Sequence, residues 1–171
     1  MSPSFEEARI EVARFEVHGQ LYGVDVQQIR EIVRAQTVTP LPRAPGLIEG
    51  VIDLRGVIVP VVDAGCVLAG VAIADGPKAR IAIVEVEGLV FGLRVAAAAE
   101  VIDVAGSEIG DAPPLVAHAG YEIVRAVVRR DGERPTLVLS LEHLLECVYR
   151  SALGSPSAAA EPTVLAPVPD A

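Results

Sequence analysis

The chain has 171 residues, 51% of them hydrophobic but only 4% aromatic, and its 14 basic against 23 acidic side chains leave a net charge of −9. That length suits one medium domain or two small ones folded as a unit, and the acidic balance argues against wholesale binding of nucleic acid or an anionic membrane, since either needs a basic footprint. Cys66 and Cys147 are too isolated for a disulfide framework, and no apolar run reaches the roughly 20 residues that span a bilayer.

Valine, isoleucine, leucine and alanine supply most of the apolar content, which suits pleated strands better than a helical bundle. Residues 1–9 read as a flexible leader without a signal-peptide hydrophobic region. Ala13, Phe15 and Val17 then alternate with Arg14, Glu16 and His18, a half-buried strand that stops at Gly19. Leu21–Val24 forms the return strand. Asp25, with Gln28 three residues on, has capping-box spacing, so a short helix is expected to present Val26, Ile29, Ile32 and Val33 on one face. Pro40, Pro42 and Pro45 enforce an extended loop.

Gly50–Leu54 and Val57–Val62 read as a hairpin turning at Arg55-Gly56. A second hairpin, Lys78–Glu87 and Leu89–Val95, turns around Gly88. A third, Glu122–Arg130 and Pro135–Ser140, turns at Asp131-Gly132, and Leu141–Arg150 closes the ordered region as a helix. Residues 10–150 thus read as one domain, and the Ala/Pro-rich residues 151–171 as a disordered tail that buries too little apolar area to offset its ordering entropy.

The pattern repeats internally. LYGVDVQQIREIV (21–33) lines up with VFGLRVAAAAEVI (90–102), matching Tyr22 with Phe91, Gly23 with Gly92 and Glu31 with Glu100. GVIDLRG (50–56) lines up with AVVRRDG (126–132), and Val61-Val62-Asp63 with Val138-Leu139-Ser140. Each half therefore repeats strand, strand, helix, proline-marked loop, hairpin and short helix. Tandem β halves of this size suggest two small barrels or rolled sheets sharing a core.

Chemistry is sparse. His18, His118 and His143 lack the spacing of a metal site or triad, and phosphate-loop, dinucleotide and hydrolase motifs are missing. Neither an enzyme nor a bound cofactor is expected. Arg55, alone at a hairpin tip, has two readings: a forked guanidinium offered to a partner, or an ion pair with Asp53 or Glu49 that stiffens the hairpin.

YGVDVQQIREIV, VTPLPRAPGLIEGVIDLRGVIVPVVD and FGLRVAAAAEVI resemble the CheW-like family of bacterial chemosensory coupling proteins, from about Phe15 to Leu145. The resemblance implies a mainly β fold of two pseudo-symmetric SH3-like five-stranded barrels with short helices. It also implies a non-enzymatic cytoplasmic adaptor, recruited to membrane-associated arrays. Its partners would be the regulatory domain of a CheA-like histidine kinase and the cytoplasmic hairpin tip of chemoreceptors. The family's Asn-Leu-Arg-Gly motif corresponds to Asp53-Leu54-Arg55-Gly56, its Glu-Ile pair to Glu31-Ile32 and its strand-opening glycine to Gly50, so partner contacts are expected at Ile29, Glu31, Ile32, Gly50, Asp53, Arg55 and Gly56. Asp53 replaces the family's asparagine, and Ala96 and Ser140 stand where aspartates are common. These departures motivate an alternative, a small-molecule-binding regulatory barrel without coupling activity.

Overall fold

The alternation of apolar and polar residues from Arg9 to Val17 forms β1 in the computed structural model, which describes residues 9–44, 46–111 and 123–153. The hairpins expected from the sequence follow. β2 (Gln20–Asp25) returns against β1, β4 (Ile48–Leu54) pairs with β5 (Val57–Asp63), β6 (Arg80–Val86) with β7 (Leu89–Val95), and β10 (Val124–Val128) with β11 (Thr136–Leu139). α1 (Ala64–Ala69) follows β5 and α2 (Leu141–Leu153) follows β11. The last helix thus covers Ser151–Leu153, where a tail was expected, and β1 begins already at Arg9. The rest of the expected leader and tail, and His118, lie outside the described residues.

The helix expected from Asp25 is a single 3-10 turn, Val26–Gln28, followed by strand β3 (Ile29–Arg34). Asp25 does cap it, accepting from Gln27 N at 2.9 Å, but Gln28 reaches away to Glu142 instead of closing the box. Ile29, Glu31 and Val33 face inward while Arg30, Ile32 and Arg34 face out. β-Branched residues at that period of two favour strand over helix. The matching segment of the second half behaves likewise: Ala97–Ala105 is strand β8, and a 3-10 turn leads into the short β9 (Ile109–Asp111).

The strands form two sheets, ordered β8-β1-β2-β11-β10-β9 and β3-β6-β7-β5-β4. The first therefore has six strands instead of five, because β9 adds itself beside β10. The repeat pairs β1 with β6, β2 with β7, β3 with β8, β4 with β10 and β5 with β11. Each half is split between the sheets: the hairpin β1–β2 joins the first sheet with β8–β11, and the hairpin β6–β7 joins the second with β3–β5, so β3 pairs with β6 and β8 with β1. The registers obey the duplication. β5 lies parallel to β7 with Val61 opposite Gly92, and β11 lies parallel to β2 with Val138 opposite Gly23.

Those glycines are small for a packing reason. A Cβ on Gly92 would lie 2.7 Å from Ile81 Cγ2, and one on Gly23 would lie 2.5 Å from Val12 Cγ1. Val12 and Ile81 are themselves matching positions. Each sheet encloses a small core on one face, Val12, Ile102, Val128 and Val138 in the first and Ile81, Val33, Ile52 and Val61 in the second. The opposite faces meet in a larger shared core around Phe15, Val24, Phe91, Leu93, Leu139 and Leu144, closed by both helices. Large β-branched and leucine side chains dominate all three clusters, which is how a chain with 4% aromatics fills its interior.

Candidate protein-interaction site

Arg55 and Gly56 form the two-residue turn between β4 and β5, and both are left-handed, with φ of 53° and 85°. A mirror-type turn of this kind matches the twist of a hairpin. Glycine takes that conformation freely, whereas an arginine does so only with support. Asp53 gives the support: its Oδ1 accepts from Gly56 N at 2.7 Å. The carboxylate expected to pair with the arginine is therefore occupied in capping the turn. Glu49, the other expected partner, binds Arg94 at 2.9 Å.

Arg55 instead meets Glu31, its Nη2 donating to Oε1 at 2.7 Å, with the arginine side chain 76% exposed. Glu31 is the inward-facing, half-buried charge of β3, an edge strand of the second sheet. An inward charge is a common guard on an edge strand. Beneath the pair lies a hollow of about 220 Å³ floored by Leu54, Val59, Ile83 and Val90. Val57 and Ile58, directly after the turn, are 61% and 62% exposed, and Ile32 beside Glu31 is exposed as well.

The fold thus brings Glu31, Asp53, Arg55 and Gly56 together at one end of the sheet. It does not bring Ile29 or Gly50 there. Ile29 packs on the shared core, so no aliphatic helix face exists at Val26–Val33. Gly50 lies under the Pro-rich strap: a Cβ would stand 2.2 Å from Thr39 O, and the strap bonds β4 through Thr39 and Val51 at 2.8 and 2.9 Å. Its smallness is accounted for by that crossing.

The CheW-like domain family matches residues 11–148. The chain belongs to the CheW-like family. It is similar to Chemotaxis protein CheW of Treponema pallidum, 28% identical over 142 residues, 81% of this chain and 83% of that protein. It is also similar to Chemotaxis protein CheW of Rhizobium meliloti, 30% identical over 128 residues, 75% of this chain and 83% of that protein. Among solved structures, the scaffolding protein TtCheW from Thermoanaerobacter tengcongensis superposes with a TM-score of 0.73 at 30% identity, covering 81% of this chain and 94% of that one. The family reading and the mainly β fold expected from the sequence both hold, with a six-stranded and a five-stranded sheet where two five-stranded barrels were expected.

Two buried arginines organise the rest of this CheW-like domain, both with side chains only 8% exposed. Arg14 on β1 binds Glu100 of β8 and, at 2.8 Å, Glu133 in the turn between β10 and β11. Arg94 on β7 binds Glu49, Asp75 and, at 3.9 Å, Asp63. Asp63 also caps α1 through Cys66 N and fixes Ile73 N at 3.1 Å. The sequence pointed to Arg55 alone. Arg94 carries a signal, an arginine inside an apolar strand, whereas Arg14 alternates with Ala13 and Phe15 on the side expected to face solvent and is buried instead. The partners of both are distant in sequence.

Ser140, aligned with Asp63 by the repeat, likewise caps its helix, accepting from His143 N at 3.4 Å, and its Oγ lies 2.8 Å from His143 Nδ1. The pair is a capping contact with the hydroxyl largely buried. Ala96, the other departure, donates its N–H to Glu16 O at 3.0 Å, a contact that needs no side chain. No helix among the described residues is long and apolar enough to cross a membrane, and no group of three metal-ligating side chains occurs among them.

Proposed function

We propose that this chain is a non-enzymatic cytoplasmic adaptor that couples chemoreceptors to a CheA-like histidine kinase in a chemosensory pathway. Family membership supports the class. The observation that carries the site is the Arg55 tip, a charged fork held out by its own turn and flanked by exposed aliphatic residues. Arginine among exposed apolar side chains is the composition of a protein-binding hot spot. Glu31 is the tip's occupant in the free protein. A partner carboxylate that displaces Glu31 gains a bidentate-capable donor without rearranging the backbone, while Val57, which lines the same hollow, supplies apolar contact.

Titration of the wild-type protein with the regulatory domain of its cognate kinase, and with receptor signalling fragments, tests the reading. Saturable binding that weakens with salt is expected, as for a partly ionic interface. Folded wild-type protein that binds neither partner sinks it.

A further inference from the structure

β5 sends alternate residues to two environments. Val59 and Val61 face the second small core, whereas Pro60 and Val62 face the last helix. Along α2, Leu141, Leu144 and Val148 stay buried against the shared core. Beside the last of these, a groove of about 140 Å³ opens between Ile48, Pro60 and Leu89 on the sheet and Leu145, Val148 and Tyr149 on the helix. Every lining residue is aliphatic or aromatic, and the groove is open to solvent, with Leu89 45% and Tyr149 54% exposed. An apolar, solvent-open groove of this kind fits an apolar peptide segment.

We propose that this groove is the docking site for the chain's own C-terminal segment, Pro162–Pro169. α2 forms one wall and hands the chain on at Leu153, so the remaining residues start beside the groove. Residues 154–161 make a sequence spacer of eight residues, mostly Gly, Ser and Ala, and a linker of that length and composition spans about 15 Å. The segment itself, PTVLAPVP, is uncharged, offers Val164, Leu165 and Val168, and lies between the only charges of residues 154–171, Glu161 and Asp170. Its prolines favour an extended backbone that makes no internal hydrogen bonds, so little order is lost on docking. A short tether gives a local concentration in the millimolar range, so a weak intrinsic affinity suffices.

Hydrogen exchange on the full chain, wild type against Val164→Asp/Leu165→Asp, tests this. Both substitutions fall after α2 in the chain, and matching thermal midpoints of the two proteins check that folding is retained. Amides of Leu89–Phe91 and Leu145–Tyr149 are expected to exchange about threefold faster in the variant, the factor 1 + [L]/Kd for a local concentration twice the Kd. A synthetic peptide spanning residues 161–170, added at millimolar concentration, is expected to restore the protection. Equal exchange in both proteins overturns the proposal. So does wild-type protection that grows with protein concentration, which assigns the groove to a second copy of the chain.

Discussion

Arg55 Nη2 donates to Glu31 Oε1 at 2.7 Å, and this contact ties the β4–β5 turn at one edge of the second sheet to β3 at the other. The first sheet has a counterpart: Arg14 joins Glu100 on its edge strand β8 to Glu133 at the β10–β11 turn. Glu31 and Glu100 are matching positions of the repeat. The arginine is exposed in one tie and buried in the other, so the two halves keep the same bridging logic with different consequences.

Arg55→Ala is expected to shift folding stability by no more than about 0.5 kcal/mol, because exposed ion pairs contribute little. Affinity for the kinase regulatory domain is expected to fall by about 1 kcal/mol or more, as at interface arginines. Urea melts and titration calorimetry on the same preparation separate the two. A large stability loss with unchanged affinity would make the arginine structural.

Arg94→Ala removes the cation facing the half-buried Glu49 and the buried Asp63, and a buried charge left without its partner costs about 3 kcal/mol or more. Asp75 is 98% exposed, so Asp75→Ala is expected to cost under about 0.5 kcal/mol. Denaturant midpoints that rank the pair the other way would refute the assignment of Arg94 as the hub.

Gly23→Ala and Gly92→Ala are expected to destabilise alike, by about 1–3 kcal/mol each, because each new methyl meets a buried valine or isoleucine below 3 Å. Gly110→Ala serves as the control, since its nearest neighbour would lie at 3.8 Å. Unequal effects at the two matched glycines would show that the small cores do not share a packing rule.

Cys66 is pushed above the ordinary thiol range, first by burial and then by the carboxylates of Asp63 and Glu49. Its thiolate fraction at neutral pH is therefore lower than that of a free cysteine. Alkylation of the native protein, followed site by site by mass spectrometry, is expected to reach half-maximal rate at Cys66 at a higher pH than for a free thiol. The same elevation stabilises the fold below the ordinary thiol pKa, and that contribution is lost as pH rises through the native value. A midpoint at or below the free-thiol value would contradict it.

The hairpins were legible in the sequence because their signals are local: period-two alternation and a turn pair such as Arg55-Gly56. The repeat was legible because both halves pack against glycine at the same step. β3 was misread as helix, since Val26, Ile29, Ile32 and Val33 also satisfy a helical period and only their β-branching favoured the strand. The Glu31–Arg55 contact was not legible. It spans 24 residues and depends on which sheet β3 joins, a question that chain order does not answer. Asp53 was recognised as a neighbour of Arg55, but its commitment to Gly56 N follows from the turn's backbone conformation.

The exchange of first hairpins bears on the chain's divisibility. Residues from β1 to β5 alone would hold two separate hairpins and an unpaired β3, because β6 and β7 are what stand between β3 and β5. Isolated hairpins are marginal in water. Neither half is therefore expected to persist as a folded fragment, because its sheet is completed only by the first hairpin of the other half. A cut anywhere between β5 and β6 would leave both sheets short of a hairpin at once, so the two sheets stand or fall together.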